Sequence, residues 1–387
     1  MSKKLDANRI MIIMLVSLGI LLRFAVMTIG HNYDFDSYCI VGEIAGNFRN
    51  VYAETSRYNY GPLFFCIQGF LYRISQLSPN WESTFRVLMV STLTLADLGI
   101  MCFIANQYGI RQSLIFFLNP VSIIITGYHN QFDNIAVFCA LLCILSYNEE
   151  ERFGRKDLLF VATLSLSLIM KHILFLFPLY ILFREKLPVK KKLVYVFVPP
   201  IIFLMSFVPF VFQSQAALDG VLNNVFFYKS FNNSPLLYCI YKLIGFPMAY
   251  SIVVFCLCLS VVAYATRRKA FDEQLLLYLI SMVAFSSAIA NQYLVIPMVA
   301  VCVLNTGVWK YIYMFFAAVF LILEGCGLGL LNALKNRYML PQAVQSVFDL
   351  YVNNPGGYII LAWILFAILV YLLLGKSRKL CECLYAE

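Results

Sequence analysis

Residues 31–62 read HNYDFDSYCIVGEIAGNFRNVYAETSRYNYGP, and they decide both the expected fold and the expected site. They follow the first long apolar segment directly, so Asp34 and Asp36 are expected at a membrane face. Apolar and polar residues then alternate at helical spacing, with Ile40, Val41, Ile44, Ala45 and Phe48 opposite Glu43, Asn47, Arg49 and Asn50. This pattern predicts a short helix that lies in the membrane interface instead of crossing it.

The composition indicates a polytopic membrane protein. Hydrophobic residues make up 61% of 387 and charged residues only 13%, which is too little polar surface for a soluble chain. The net charge of +9 lies mostly in short loops, where it indicates membrane topology and no nucleic-acid partner. The twelve cysteines are scattered without paired metal spacing, which favours packing roles.

The hydropathy pattern predicts an all-α protein with about twelve transmembrane helices. Apolar segments lie near 10–29, 84–105, 113–127, 132–147, 158–170, 173–183, 193–212, 247–265, 274–289, 293–306, 310–331 and 358–374. Segment 62–77 is kept at the surface, since counting it as a span would scatter the basic clusters over both faces. These clusters are Lys3/Lys4/Arg9, Arg111, Arg152/Arg155/Lys156, Arg184 to Lys192, Arg267/Arg268/Lys269 and Lys376/Arg378/Lys379. The positive-inside rule makes their side cytoplasmic and places loops 30–83, 213–246 and 332–357 outside.

Asp34 and Asp36 have two readings. They are solvated loop acids, with Asp36 or Ser37 capping the helix that follows. Alternatively one of them is a general base, with or without a divalent metal ion held by the pair. A carboxylate at the membrane edge has the raised basicity that proton abstraction from a hydroxyl uses.

Three polar breaks in the apolar runs are expected to open to the same face as Asp34. The first holds His129, Gln131 and Asp133, and is either a hydrated hairpin turn or part of a site, because ionisable residues at such depth usually face a cavity or a partner. The second is Lys171-His172; Lys171 either snorkels to the interface or holds an anionic ligand such as a lipid phosphate. The third, Asn291-Gln292-Tyr293, is a satisfied kink or a further wall of the site.

Arg23, Asp97 and Glu324 also lie within apolar runs. We expect them to form polar contacts between helices.

Together these stretches resemble the GT-C class of integral-membrane glycosyltransferases, in particular the bacterial polyprenol-phosphate mannosyltransferases. The resemblance rests on Asp34-Phe-Asp36-Ser-Tyr38, on Tyr58-Asn-Tyr60-Gly-Pro-Leu63, on Asn119-Pro120 through Gln131-Phe-Asp133, on Lys171 with Pro178, and on Gln292-Tyr293. It covers roughly the first 180 residues well and the remainder by topology. Gly61 departs from the family pattern, which has Pro there, and the Asp-Phe-x-x-Tyr frame favours Asp34 over Asp36 as the family's base.

The resemblance implies an inverting hexosyltransferase of the GT-C fold that moves a mannose-like sugar from a polyprenyl-phosphate donor to a glycan or lipid-linked acceptor. It implies a catalytic module over 1–212 and a second module over 213–387 that closes the groove. Asp34 would be the base, and the substrate-binding residues would be Tyr38, Tyr60, His129, Gln131, Asp133, Lys171, His172, Gln292 and Tyr293. No cofactor is required, although Mg²⁺ or Mn²⁺ at Asp34 and Asp36 is an alternative.

Two other functions remain open at this point. Twelve spans with short broken helices and embedded ions are also typical of a secondary transporter or flippase for an anionic or lipid-linked substrate. A lipid-binding assembly subunit without catalysis would tolerate the loss of Asp34. Compact loops and the resemblance favour a bacterial plasma membrane with an outward-facing site.

Overall fold

The computed structural model describes residues 2–228, 235–245, 247–323 and 356–375, and every regular element within them is helical. The α-helices of these ranges are α1 Ser2–Ile29, α2 Tyr33–Gly46, α3 Val51–Glu54, α4 Pro62–Ser75, α5 Trp81–Tyr108, α6 Ile110–Phe117, α7 Pro120–Gly127, α8 Asp133–Ser146, α9 Arg155–Met170, α10 Phe177–Phe183, α11 Val189–Met205, α12 Val208–Val211, α13 Gln215–Gly220, α14 Pro235–Ile244, α15 Ser251–Ala265, α16 Phe271–Ala284, α17 Met298–Val303, α18 Trp309–Leu323 and α19 Gly356–Leu374. Short 3-10 segments lie at His172–Leu174, Met248–Tyr250 and Asn291–Val295, and a π-helical segment spans Val221–Phe226. The prediction of an all-α chain is confirmed for these ranges.

Four described helical stretches are long and apolar enough to cross a membrane, namely Asn8–Ile29, Trp81–Tyr108, Val189–Val211 and Gly357–Leu374. Helices α6 and α7 would form a fifth span, bent by 48° at the break before Pro120. These helices indicate a membrane protein. The predicted count of about twelve spans is not confirmed, because the other apolar helices of the described ranges have only 10–17 residues and a straight crossing takes about 20.

The first loop folds into α2, α3 and α4, and α2 begins earlier than expected. The residue that caps α2 is Asn32, whose Oδ1 accepts a hydrogen bond from the backbone N–H of Asp34 at 3.2 Å. Capping by Asp36 or Ser37 was therefore wrong, since both residues lie inside the helix. Val41 and Ile44 are buried as expected, whereas Ile40 and Phe48 are exposed.

Helix α4 packs closely along α2. A Cβ atom on Gly69 of α4 would lie 2.8 Å from Ala45 of α2, so the two backbones approach where side chains are smallest. At 1.5 Å per residue, the 14 residues of α4 span about 21 Å, short of a hydrocarbon core of about 30 Å. A surface location for 62–77 is consistent with this length and stays a prediction.

A fully buried polar cluster joins α1, α5, α7 and α8. The Arg23 guanidinium donates to Asp97 Oδ2 at 2.8 Å and to Ser122 Oγ at 2.8 Å. Thr126 and Asn134 donate to the two oxygens of Asp97. Because water does not reach these groups, each polar atom depends on a neighbouring helix for a partner. The predicted role of Arg23 and Asp97 as helix–helix contacts agrees with this geometry, and Glu324, for which the same role was predicted, lies outside the described residues.

The division of the chain at 212 stays a prediction. Packing contacts cross it, since α3 lies against α13 and α7 lies against the 291–295 segment.

At the opposite end of the helices from α2, basic residues are paired with acids. Lys191 Nζ lies 2.6 Å from Asp157 Oδ1 in a buried pair, and Arg267 Nε lies 2.8 Å from Glu185 Oε1. These residues belong to the clusters that the positive-inside rule places in the cytoplasm. The C-terminal cluster Lys376/Arg378/Lys379 and most of the loop 332–357 lie outside the described residues.

Single cysteines introduced at two exposed positions test this orientation. A membrane-impermeant maleimide should label Asn47→Cys in intact cells, and should label Lys190→Cys only after permeabilisation, with the native cysteines of the unmodified protein as the baseline. The expectation follows from loop 30–83 lying outside and the 184–192 cluster lying inside. Labelling of Lys190→Cys in intact cells would reverse the face assignment.

Candidate active site

Asp34 lies in the first turn of α2, where the helix dipole favours a negative charge. Its Oδ2 accepts hydrogen bonds from Asn32 Nδ2, at 3.1 Å, and from Gln131 Nε2. Partial burial raises the pKa of the Asp34 carboxyl above its usual value, while the Asn32 hydrogen bond, the positive charge of Lys171 and the Gln131 hydrogen bond act in the opposite direction. Asp34 is thus a partly exposed carboxylate with higher basicity than an ordinary surface acid.

Tyr38 and Gln131 extend the contacts of Asp34. Tyr38 lies one helical turn after Asp34, on the same face of α2. Its hydroxyl donates to Gln131 Oε1 at 3.0 Å, and both side chains are buried. Gln131 therefore connects α2 to the turn between α7 and α8.

The side-chain amide of Asn130 stabilises that turn. Asn130 adopts a left-handed backbone conformation with a φ of 53°, and its side-chain amide donates to the carbonyl oxygens of Thr126 and Gly127. This places His129 against the α2 cap, where its Nδ1 lies 3.0 Å from Asn32 Nδ2. Burial lowers the pKa of His129 to about 4, so the imidazole is neutral, and the contact with an amide donor makes Nδ1 the acceptor and Nε2 the protonated nitrogen.

Lys171 forms a buried ion pair with Asp133. The ammonium lies 2.7 Å from Asp133 Oδ2, and the two side chains are 3% and 0% exposed. Lys171 follows the C-terminal end of α9 and Asp133 opens α8, so each charge lies at the helix end whose dipole favours it. The sequence predicted an anionic ligand or snorkelling for Lys171, whereas the structure gives it a carboxylate partner inside the protein.

Aromatic rings surround the ammonium of Lys171. It lies 4.8 Å from the ring centroids of Tyr60 and Phe132 and 6.0 Å from that of Tyr293, within the range of cation–π attraction. Of its three N–H donors, one is used by Asp133, and no other acceptor contacts it among the described residues. The two remaining donors therefore have no acceptor among these residues.

Tyr60 connects the first loop to the other two breaks. Its ring lies 6.2 Å from that of His172, and its hydroxyl is hydrogen-bonded by Gln292. A Cβ atom on Gly61 would lie 2.1 Å from the carbonyl oxygen of Ile169. Any residue with a Cβ atom, Pro included, would push the loop away from the end of α9, so Gly61 is what brings Tyr60 next to Lys171.

The structure separates Asp36 from the other predicted site residues. Its side chain is 52% exposed and lies near the imidazole of His31, whose Nδ1 is 3.8 Å from Asp36 Oδ1. Two positions along a helix correspond to a rotation of about 200°, so Asp34 and Asp36 project to opposite sides of α2. Within the described ranges, no three His, Cys, Asp or Glu side chains form a group suited to a metal ion.

The structure adds three residues to the site. Asn32 was detectable in principle, because an Asn directly before an acidic first turn is a common helix cap. Phe132 packs against Tyr60 with ring centroids 4.8 Å apart, and Tyr228 lies close enough to Tyr60 and Tyr293 to interact with both electrostatically. Neither aromatic residue had a signal of its own in a chain so rich in apolar residues.

Apart from Asp36, the ten predicted site residues come together from five segments of the chain. These are Asp34 and Tyr38 from α2, Tyr60 from the loop before α4, His129, Gln131 and Asp133 from the turn between α7 and α8 and the start of α8, Lys171 and His172 from the break after α9, and Gln292 and Tyr293 from the 291–295 segment. Comparison of the chain with protein-family models finds no match, and comparisons with curated proteins and with solved structures find none either.

Proposed function

We propose that this protein is a membrane glycosyltransferase of the GT-C type. It moves a mannose-like hexose from a polyprenyl-phosphate donor to a glycan or glycolipid acceptor, with inversion at the anomeric carbon. The observation that supports this most is the convergence of Asp34 and Lys171. A half-buried carboxylate and a buried ammonium, 137 residues apart in the chain, lie close enough for the charge of one to act on the other.

The two charges suit the two ends of a glycosyl transfer. The acceptor hydroxyl gives its proton to Asp34 while its oxygen attacks the anomeric carbon. The bond between that carbon and the lipid phosphate breaks, and the electron pair leaves on the phosphate oxygen. Since the phosphate leaves as an anion, no acid is needed, and the two free N–H donors of Lys171 stabilise the charge that develops there.

The surroundings fit a lipid-linked donor. Tyr60, Phe132 and Tyr293 offer aromatic surface beside Lys171, and the polyprenyl chain would lie between apolar helices in the lipid. We place the active site on the outer face of a bacterial plasma membrane, with about twelve spans in all. Base and ammonium suffice for the chemistry without a cofactor, and a divalent cation shared by Asp34 and Asp36 does not fit two side chains on opposite sides of α2.

A secondary transporter is the second candidate. The buried Lys171–Asp133 pair favours it, because ionisable pairs at membrane depth also mark the ion pathways of carriers. Transport by a secondary carrier can be measured only across a sealed membrane with a gradient, whereas a transferase also acts on substrates in detergent solution. The two functions therefore differ in what purified protein does in detergent.

The test is sugar transfer by purified protein in detergent, where no gradient exists. The protein is mixed with short-chain polyprenyl-phosphate hexoses, and the products are read by mass spectrometry together with the lipid-linked glycans of cells with and without the gene. We expect release of polyprenyl phosphate and a product heavier than the acceptor by one hexose. No transfer from any donor of the panel, together with unchanged cellular glycans, would contradict the transferase and favour the transporter.

A further inference from the structure

The two side-chain donors that reach Asp34 meet the same oxygen atom. Asn32 Nδ2 and Gln131 Nε2 both donate to Oδ2. Among the described residues, no donor reaches Oδ1. One oxygen of the carboxylate is therefore held by the protein and the other is left available.

The orientation of each amide is fixed by a second partner. Asn32 Oδ1 accepts from the backbone N–H of Asp34, so Asn32 Nδ2 is the group that faces the carboxylate, and its other hydrogen points to His129 Nδ1 at 3.0 Å. Gln131 Oε1 accepts from the Tyr38 hydroxyl, so Gln131 Nε2 must be the donor to Asp34. Neither amide can flip without breaking a hydrogen bond at its other end.

We propose that Asn32 and Gln131 are positioning residues that grip Asp34 by Oδ2, direct Oδ1 toward the acceptor and keep the carboxylate ionised against the effect of burial. The proposal rests on the proposed function for the identity of the acceptor. The part of the proposal that concerns the ionisation of Asp34 does not depend on the acceptor. Gln131, which the sequence suggested as a substrate contact, then acts through Asp34 instead.

The pKa of Asp34 is the quantity that this grip controls. Burial raises it, and the donors Asn32 and Gln131 lower it together with the charge of Lys171. The other titratable groups that bear on this site are Asp133 at the start of α8, the neutral His129 behind Asn32, and the hydroxyls of Tyr38 and Tyr60. Replacing a donor by a carboxylate removes one lowering contact and adds a like charge, so the pKa of Asp34 must rise.

Asn32→Asp is the sharpest test, because Asp is as good a helix cap as Asn and has nearly the same shape. It keeps the acceptor for the Asp34 backbone N–H and turns the donor into an anion. Asn47→Asp is the matched control, since Asn47 is exposed at the far end of the same helix. Gln131→Glu repeats the test from the other amide while keeping the acceptor for Tyr38.

The readout is labelling of Asp34 with dicyclohexylcarbodiimide, which adds to protonated carboxylic acids, quantified by peptide mass spectrometry from pH 4 to 9. We expect the midpoint of Asp34 labelling to rise by at least about one pH unit in Asn32→Asp and in Gln131→Glu, and to stay unchanged in Asn47→Asp. A midpoint equal to that of the unmodified protein in both site variants overturns the proposal. If Asn32→Asp fails to fold, Asn32→Ser replaces it, because serine keeps the helix cap without a donor that points at Oδ2. The midpoint of Asp34 labelling should then rise by a smaller amount.

This labelling does not depend on turnover, so the inference and the proposed function fail separately. Where transfer is measured, the acid limb of the pH–rate profile should shift to higher pH by the same amount as the labelling midpoint. The KM for the donor should change little. A shift in labelling without a matching shift of the pH–rate profile would confirm that the two amides control the pKa of Asp34, and would contradict the role of Asp34 in the reaction.

Discussion

Asp34→Asn should lower sugar transfer by at least about 100-fold, equivalent to about 2.7 kcal/mol of activation free energy. The amide keeps the size of the carboxylate and loses the ability to accept a proton. Asn32 Nδ2 and Gln131 Nε2 can still donate to the remaining oxygen. The fold should therefore survive, and the loss should appear in turnover more than in donor binding.

Glu43→Gln is the control for this prediction. Glu43 is an exposed acid of the same helix, and its nearest basic partner is Arg49 at 3.9 Å. The same neutralisation there should leave transfer near the level of the unmodified protein. Thermal unfolding of both variants in detergent would show whether any loss comes from the fold.

Asp36→Asn decides between a single base and a metal-binding pair. If Asp34 acts alone, the Asp36 variant should lose much less activity, since Asp36 faces away from Gln131 and Lys171. Equal losses in both variants, with inhibition of the unmodified protein by chelators, would contradict this arrangement and favour the metal-binding pair. Transfer close to normal by Asp34→Asn would contradict Asp34 as the base and move that role to Asp36 or Asp133.

The breaks in the apolar runs explain why much of the candidate site can be predicted from the sequence. A polar residue such as Lys171 or Gln131 in a long apolar segment costs several kcal/mol in lipid unless it has a partner or lines a water-filled cavity. Such residues are visible without any structure. The three breaks that hold them meet in the fold together with the first loop, as their shared sidedness had predicted.

Hydropathy measures how favourably a residue transfers from water into lipid, and it contains no information on the partners of that residue. It therefore marks Lys171 as unusual and does not reveal that Asp133, 38 residues earlier, neutralises it. The same limit applies to the shape of a span. A summed hydropathy treats the segment 113–127 as one straight helix, whereas Asn119 caps a new helix there and the two helices differ in direction by 48°.

The largest effect on the donor side is expected from the Lys171–Asp133 pair. Lys171→Met should reduce kcat/KM for the donor by at least about 100-fold, because the developing phosphate charge loses its cation. Lys171→Arg should keep part of the activity, since a guanidinium also binds phosphate. Lys171→Met also leaves Asp133 buried without its partner, which typically costs about 3–5 kcal/mol of folding free energy.

A double variant separates the two effects. Lys171→Met combined with Asp133→Asn removes the orphaned charge, so it should recover most of the thermal stability and none of the donor use. Lys191→Met is the matched control, because Lys191 forms the other buried Lys–Asp pair described, 2.6 Å from Asp157, among the basic clusters on the opposite predicted face. It should lose comparable stability, with donor use per folded molecule unchanged. Full turnover of Lys171→Met at low donor concentration, or recovery of donor use by the double variant, would show that Lys171 serves the fold alone.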